Sequence, residues 1–116
     1  MQWQSLRMSD FSIPSFPRLG AFFLRHGTST LDEGIAFFRK HGLSCVQIGD
    51  PLLGEMVANP EKIPGVVSRF RDAGISIIGL AGYRNMVAED GRRREKNLAY
   101  LERCLELAPA FGTAVV

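Results

Sequence analysis

Gly74-Ile-Ser-Ile-Ile-Gly-Leu-Ala81 is the stretch of sequence that decides the fold. A glycine that can end a helix is followed here by a short apolar run rich in isoleucine, which is typical of a buried strand. The same succession of a glycine and an apolar run recurs after Gly42 and after Gly112. The repeats lie about 30 residues or more apart, which suits one strand-helix-strand unit each. This alternation of helices and strands predicts an α/β fold with a parallel sheet.

The first half of the chain fits the same scheme. Leu19–Leu24 (LGAFFL) predicts the first strand, and Ser44–Gly49 (SCVQIG) predicts the second. Between them, Thr30 and Glu33 have the spacing of a capping box, which predicts the start of a helix. Residues at helical spacing give that helix an apolar face: Leu31, Ile35 and Phe38. Gly42 is expected to end the helix in the left-handed conformation.

A loop is expected through Asp50, Pro51 and Gly54 before the second helix. Asn59-Pro60-Glu61 supplies a cap, a proline at the first helical position and an acidic first turn. Because Pro64 and Gly65 weaken the opening turn, we expect the regular helix to begin near Pro64 and to end at Gly74.

The last third predicts the longest helix and then a fourth strand. The helix is expected over Asp90–Ala108, and Pro109 ends or kinks it. Three leucines and an alanine are expected on its apolar side: Leu98, Leu101, Leu105 and Ala108. The strand is expected at Thr113–Val116, after Gly112.

Composition limits the class of protein. The 116 residues are 46% hydrophobic with a net charge of +2, which suits a globular domain and is too small a bias to indicate nucleic-acid binding. Cys45 and Cys104 are far apart and lack metal-ligand spacing, so we expect two buried, reduced thiols. No apolar run reaches the roughly 18 residues of a membrane helix. We expect a soluble, cytoplasmic protein with residues 1–17 as an N-terminal leader before a domain at 18–116.

The segment after the third strand carries a family resemblance. Gly79–Asp90 (GLAGYRNMVAED), followed by Arg93, Asn97 and Leu107-Ala108, resembles the xylose-isomerase-like superfamily of sugar phosphate isomerases and epimerases. The resemblance implies a (β/α)8 TIM barrel, of which 18–116 would be three β/α units and the start of strand four. A closed barrel needs roughly 200 to 250 residues, so we expect an N-terminal fragment of one.

The resemblance also implies the chemistry. A divalent metal ion would hold adjacent oxygens of a sugar and stabilise an enediolate while carboxylates move a proton. The family's metal ligands lie on later strands, so the resemblance places them beyond Val116. We therefore expect no catalytic residue and no metal ligand in this chain, which would bind a sugar or sugar phosphate without being active alone.

The carboxyl ends of the strands are where a barrel places its substrate. The polar residues expected near those ends are Arg25, His26, Gln47, Asp50, Tyr83, Arg84 and Asn85. Tyr83 and Asn85 are the preferred pair, because an aromatic ring and an amide suit a sugar. The alternative is a loop in which Asn85 bonds its own backbone and Tyr83 packs.

The other candidates carry alternatives as well. Gln47 could bond a sugar hydroxyl, or it could be a satisfied interior amide. His26 could bind or shuttle a proton to a hydroxylated substrate, or it could be a surface histidine. Arg84 could contact a phosphate, or it could be a solvated arginine.

Three functions fit this pattern. The leading hypothesis is a metal-dependent sugar or sugar-phosphate isomerase or epimerase, with no nucleic-acid or membrane partner. The first alternative is a non-catalytic half-barrel that binds a partner or forms a homo-oligomer through open strand edges. The second is an endonuclease acting at abasic DNA sites, which is disfavoured because His26 and His41 are the only histidines.

Overall fold

The computed structural model describes residues 18–23 and 30–116. Its sheet has three parallel strands, β1 (Gly20–Phe23), β2 (Cys45–Ile48) and β3 (Ser76–Leu80), in the order β1-β2-β3. This confirms the predicted α/β class and the parallel sheet. The expected leader, residues 1–17, lies outside the described residues.

Four α-helices occur in the described part of the chain: α1 (Leu31–Lys40), α2 (Leu52–Ala58), α3 (Ile63–Asp72) and α4 (Gly91–Leu107). Short 3₁₀ turns at Pro60–Lys62 and Ala108–Phe111 precede α3 and follow α4. The beginning of α3 one residue before Pro64 confirms the expectation that the regular helix starts there.

Helix α1 has the predicted capping box. The Thr30 hydroxyl accepts from the Glu33 backbone N–H, and the Glu33 carboxylate accepts from the Thr30 N–H at 2.9 Å. The chain leaves the α1 layer through Gly42, whose φ of 67° lies in the left-handed region that favours glycine. Gly74 and Gly112 adopt the same conformation at the other two predicted helix-to-strand junctions.

The expected loop through Asp50, Pro51 and Gly54 holds for Asp50 and Pro51 but is wrong at Gly54, because residues 52–58 form helix α2. Three of its side chains are buried in the core: Leu52, Leu53 and Met56. The Asp50 carboxylate accepts a hydrogen bond from the Gly54 N–H at 2.9 Å and satisfies an N–H of the first turn. Burial of the apolar side chains and this bond outweigh the turn preference of Pro51 and Gly54.

The apolar side predicted for α4 is right for Ala108, which is buried, and wrong for two of its leucines. Leu98 and Leu105 are exposed, whereas Cys104 is fully buried and Tyr100 and Leu107 pack against the core. The helix carries two adjacent apolar stripes, and periodicity alone cannot tell which one faces inward. The 3₁₀ turn after α4 decides, because its Ala108 and Phe111 are buried and fix the rotation of the helix.

The predicted fourth strand, Thr113–Val116, is not a strand in this structure. The Leu80 N–H donates to the Val115 carbonyl at 3.0 Å, so the segment lies beside β3. The Thr113 hydroxyl, however, accepts from the Val115 N–H at 3.2 Å. This local side-chain bond occupies the Val115 N–H and so competes with a regular ladder at that residue.

The two faces of the sheet have different surroundings. The strand side chains on one face join a single core with the helices: Phe23, Val46, Ile48 and Leu80. The helix side chains in that core are Ile35, Phe38, Leu52, Leu53, Met56, Ile63, Val66, Phe70 and Cys104. The opposite face carries Phe22, Gln47 and Ile78, which line a groove. We call it the open face, because the helices of the described chain pack against the other one.

Candidate functional site

The carboxyl ends of the three strands bring three side chains together on the open face. Gln47 lies in β2, Phe22 lies in β1, and Tyr83 follows β3 by three residues. The Gln47 amide Nε2 donates to the Tyr83 hydroxyl at 3.0 Å. The rings of Phe22 and Tyr83 stack, with centroids 6.4 Å apart and planes 15° apart. The structure therefore unites Gln47 and Tyr83, which the sequence had predicted as separate candidates.

This group has the features of a site for a polyhydroxylated ligand. Tyr83 is 69% exposed, so its ring is accessible although its hydroxyl has a partner. The Tyr83 hydroxyl can still donate a hydrogen bond, and the Gln47 side-chain carbonyl is an acceptor. An aromatic face beside a fixed amide can hold the apolar side of a sugar ring and orient its hydroxyls.

A bulge in β3 shapes the same face. Gln47 is opposite Gly79 and Val46 is opposite Ile77, so Ile78 is the extra residue of β3 at this point. A bulge changes the direction in which a side chain points and is common next to active sites. Here the bulge residue Ile78 is 52% exposed and lines the groove.

Asn85 has a different role in the geometry from the one preferred above. Its side-chain oxygen accepts from the Val87 N–H at 3.0 Å. Its backbone carbonyl accepts from the Asn97 amide of α4 at 2.7 Å. This matches the alternative interpretation for Asn85, which bonds its own loop, whereas Tyr83, which that alternative expected to pack, is largely exposed. His26 and Arg25 lie outside the described residues.

Asp50 and Arg84 form a second group at the same edge of the sheet. The Arg84 Nη1 lies 2.8 Å from the Asp50 Oδ2 and also donates to the Tyr83 carbonyl at 2.7 Å. The Arg84 guanidinium stacks on the Tyr100 ring, 3.9 Å from its centroid. The Tyr100 hydroxyl donates to the Asp50 Oδ1 at 3.3 Å. Arg84 is thus tied to a carboxylate, a carbonyl and a ring rather than solvated, and we call Asp50, Arg84 and Tyr100 the rim triad.

Two side chains of helix α4, Tyr100 and Cys104, have raised pKa values. Burial, and then the nearby Asp50 carboxylate, raise the pKa of Tyr100 above its ordinary value. Burial likewise raises the pKa of the Cys104 thiol. At neutral pH, Tyr100 therefore acts as a hydrogen-bond donor to Asp50, and Cys104 is an unreactive thiol, as expected from its burial.

Sequence reasoning missed Tyr100 as part of this edge. Asp50 and Tyr100 are far apart in the chain, and no local pattern links them. The available signal was a tyrosine within an otherwise charged and aliphatic helix, because a buried tyrosine hydroxyl needs a partner.

Within residues 18–23 and 30–116, no three His, Cys, Asp or Glu side chains come close enough together to hold a metal ion. The divalent ion that the resemblance implies, with its ligands on later strands, stays a prediction.

Comparison with known proteins leaves the family open. The sequence matches no protein-family model and no curated protein. In the described part of the chain, none of the helices combines the length and the apolar character needed to cross a membrane.

Proposed function

We propose that this chain is the N-terminal part of a (β/α)8 barrel and supplies one section of the substrate wall of a cytoplasmic sugar or sugar-phosphate isomerase or epimerase. The observation that carries the proposal is the group formed by Phe22, Gln47 and Tyr83 on the open face. TIM-barrel enzymes place their active sites at the carboxyl ends of the strands, which is where this group lies.

The arrangement of layers supports a barrel over an open doubly wound sheet. The strands follow one another in chain order, and the helices share one core with one face of the sheet. A doubly wound sheet reverses its strand order and covers both faces with helices. In a barrel the helices form the outer layer and the open face becomes the interior.

The proposal divides the work between this chain and the rest of the barrel. Tyr83 would pack its ring on a sugar, and Gln47 would accept from or donate to a hydroxyl. The proton transfer between neighbouring carbons would be done by carboxylates on later strands. The isolated chain should therefore bind and not turn over a sugar.

Binding is tested by saturation-transfer NMR of the chain with a panel of aldoses, ketoses and their phosphates. We expect at least one compound to receive saturation, and Gln47→Leu or Tyr83→Ala to weaken its binding about threefold to tenfold, the value of one lost polar or stacking contact. The matched control is Arg103→Met, which removes an exposed ion pair with Glu106 on α4. Binding that persists unchanged in both site variants would refute this site.

Catalysis is tested first by reading the coding DNA and then by assaying the protein that it encodes. We expect the reading frame to continue past Val116 and to encode acidic residues and a histidine at successive strand ends. The longer product should incorporate solvent deuterium at the carbon beside the sugar carbonyl. A stop codon directly after Val116 would remove catalysis from the proposal.

A half-barrel module that self-associates is the second candidate, because one observation favours it. Helix α4 exposes Leu98 and Leu105. Exposed apolar residues favour association with another chain. Sedimentation of the wild type and of Leu98→Glu tests it: a dimer that dissociates in the variant supports a module, and a monomer argues against it.

A further inference from the structure

We infer that Asp50 and Arg84 are positioning residues that hold Tyr83 against Gln47, so that the rim triad determines how well the site recognises its ligand. The part that concerns a sugar ligand depends on the function proposed above. The part that concerns the position of Tyr83 does not.

Arg84 fixes the backbone of the residue before it. A single guanidinium nitrogen, Nη1, donates to the Tyr83 carbonyl at 2.7 Å while it lies 2.8 Å from the Asp50 carboxylate. Bonds to charged partners are shorter and stronger than neutral ones. The carbonyl of Tyr83 is therefore held at a set distance from Asp50, and the Tyr83 side chain starts from a defined backbone position.

Asp50 is fixed in turn by two helices. Its Oδ1 accepts from the Gly54 N–H of α2 at 2.9 Å and from the Tyr100 hydroxyl of α4 at 3.3 Å. The Arg84 guanidinium also stacks on the Tyr100 ring, with its Cζ 3.9 Å from the ring centroid. Next to Tyr83, the loop after β3 is thus attached to the helix layer through Asp50 and Arg84. Further along the same loop, Asn97 and Arg94 of α4 donate to the carbonyls of Asn85 and Ala88.

Tyr83 depends on this attachment because its own contacts are few, namely one hydrogen bond and one stacked ring. It is 69% exposed and meets Gln47 through one hydrogen bond of 3.0 Å and Phe22 through a ring contact. An exposed ring held by one neutral hydrogen bond gains little from it and reorients easily. If the backbone carbonyl of Tyr83 is released, the hydroxyl should leave Gln47.

The test uses the fact that the sequence has only two tyrosines, Tyr83 and Tyr100. In the chain labelled with 13Cζ-tyrosine, Tyr100→Phe assigns the two resonances. Arg84→Met keeps the unbranched apolar stem of the side chain but removes the guanidinium with its charge and donors. We expect it to move the Tyr83 resonance towards that of a free tyrosine in water, as Gln47→Leu should, and to weaken sugar binding about threefold to tenfold.

Conservative variants separate positioning from a general loss of structure. Arg84→Lys can keep the ion pair with Asp50 but not the planar fork, so a shift smaller than that of Arg84→Met is expected. Asp50→Asn keeps the shape and removes the charge, and it should also move the Tyr83 resonance. Arg103→Met makes the same substitution at the exposed pair with Glu106, whose N–O distance is 2.9 Å, and should leave Tyr83 unchanged.

The outcomes distinguish the inference from the proposed function. If Arg84→Met and Asp50→Asn move the Tyr100 resonance but leave Tyr83 in place, the triad only joins helices and the inference is overturned. If the Tyr83 resonance moves as expected but the wild-type chain binds no sugar of the panel, the positioning role stands and the proposed function fails.

Discussion

The two faces of the sheet are built from the same three strands but differ in burial and in the kind of contact that their side chains make. On the helix-covered face, Val46, Ile48 and Leu80 are fully buried in one core. On the open face, Ile78 is 52% exposed, and the Gln47 side-chain amide donates a hydrogen bond to the Tyr83 hydroxyl. The covered face is filled by apolar contacts that stabilise the fold, while the open face carries polar contacts that fix single side chains. Stability and ligand recognition are therefore expected to separate by face.

The largest expected effect comes from a matched pair of isoleucines. Ile48→Ala removes a fully buried side chain and should lower the free energy of unfolding by about 2–5 kcal/mol. Ile78→Ala, in the neighbouring strand, should cost no more than about 1 kcal/mol beyond the change in strand propensity, because its side chain is half exposed. Urea denaturation of both variants measures the difference.

Equal losses in the two variants would break the comparison. They would mean that the open face is covered in solution, and the sedimentation experiment on Leu98→Glu would then show whether a second chain covers it. A similar slope of unfolding against urea in all variants is needed for the comparison, since the slope reports the surface exposed on unfolding.

Much of the helix layer on the covered face could be predicted from the sequence, because residues close together in the chain decide where its helices begin and end. Thr30 and Glu33 are three residues apart, so their capping box is visible without the fold. Gly42 precedes an apolar run and takes the left-handed conformation that ends a helix. Helix α2 was missed because Pro51 and Gly54 favour a turn by their local preferences. The segment becomes a helix because the apolar side chains between and after them are buried, which a local pattern does not show.

A second pair of variants sharpens the contrast through glycines. A Cβ on Gly34 of α1 would meet the Phe23 ring, which is packed between Phe38 and Phe70. Gly34→Ala should therefore cost about 1–3 kcal/mol from overpacking, reduced by about 0.5–1 kcal/mol of gained helix propensity. A Cβ on Gly49 would meet the Phe22 ring on the open face.

Because Phe22 can rotate into the open groove, Gly49→Ala should destabilise the chain less than Gly34→Ala. It should instead displace Phe22 from Tyr83 and move the Tyr83 resonance. Thermal unfolding and the labelled-tyrosine spectrum measure the two effects separately. A larger loss of stability for Gly49→Ala would show that Phe22 is held as firmly as Phe23.

The open face was only partly predictable, because its contacts join distant parts of the chain. The strand pattern placed Gln47 at the carboxyl end of β2, and the resemblance pointed to Tyr83, but neither gave the bond between them. The bulge at Ile78 depends on pairing with β2, and the bond from Tyr100 to Asp50 depends on the rotation of α4. Long-range geometry of this kind has no signature in a short window of sequence.

The smallest effect at neutral pH, and a clear one in alkali, is expected at Tyr100. Burial and the Asp50 carboxylate raise its pKa in the folded state above the unfolded value near 10. A raised pKa favours the protonated folded state, so this stabilisation is complete below about pH 10 and is lost as the pH rises through the folded pKa. Cys104, whose pKa is also raised by burial, adds a loss of the same sign from about pH 9.

Tyr100→Phe isolates this contribution. At pH 7 it should change the free energy of unfolding by only about 0.5–1.5 kcal/mol, since it removes one hydrogen bond to Asp50. Between pH 9 and pH 11 the wild type should lose stability more steeply than the variant, which lacks the contribution of Tyr100. Arg103→Met, which changes only an exposed ion pair on the same helix, is the control and should retain the steep wild-type slope. Parallel slopes for wild type and Tyr100→Phe would contradict the placement of Tyr100 beside Asp50 and, with it, the link between the helix layer and the rim.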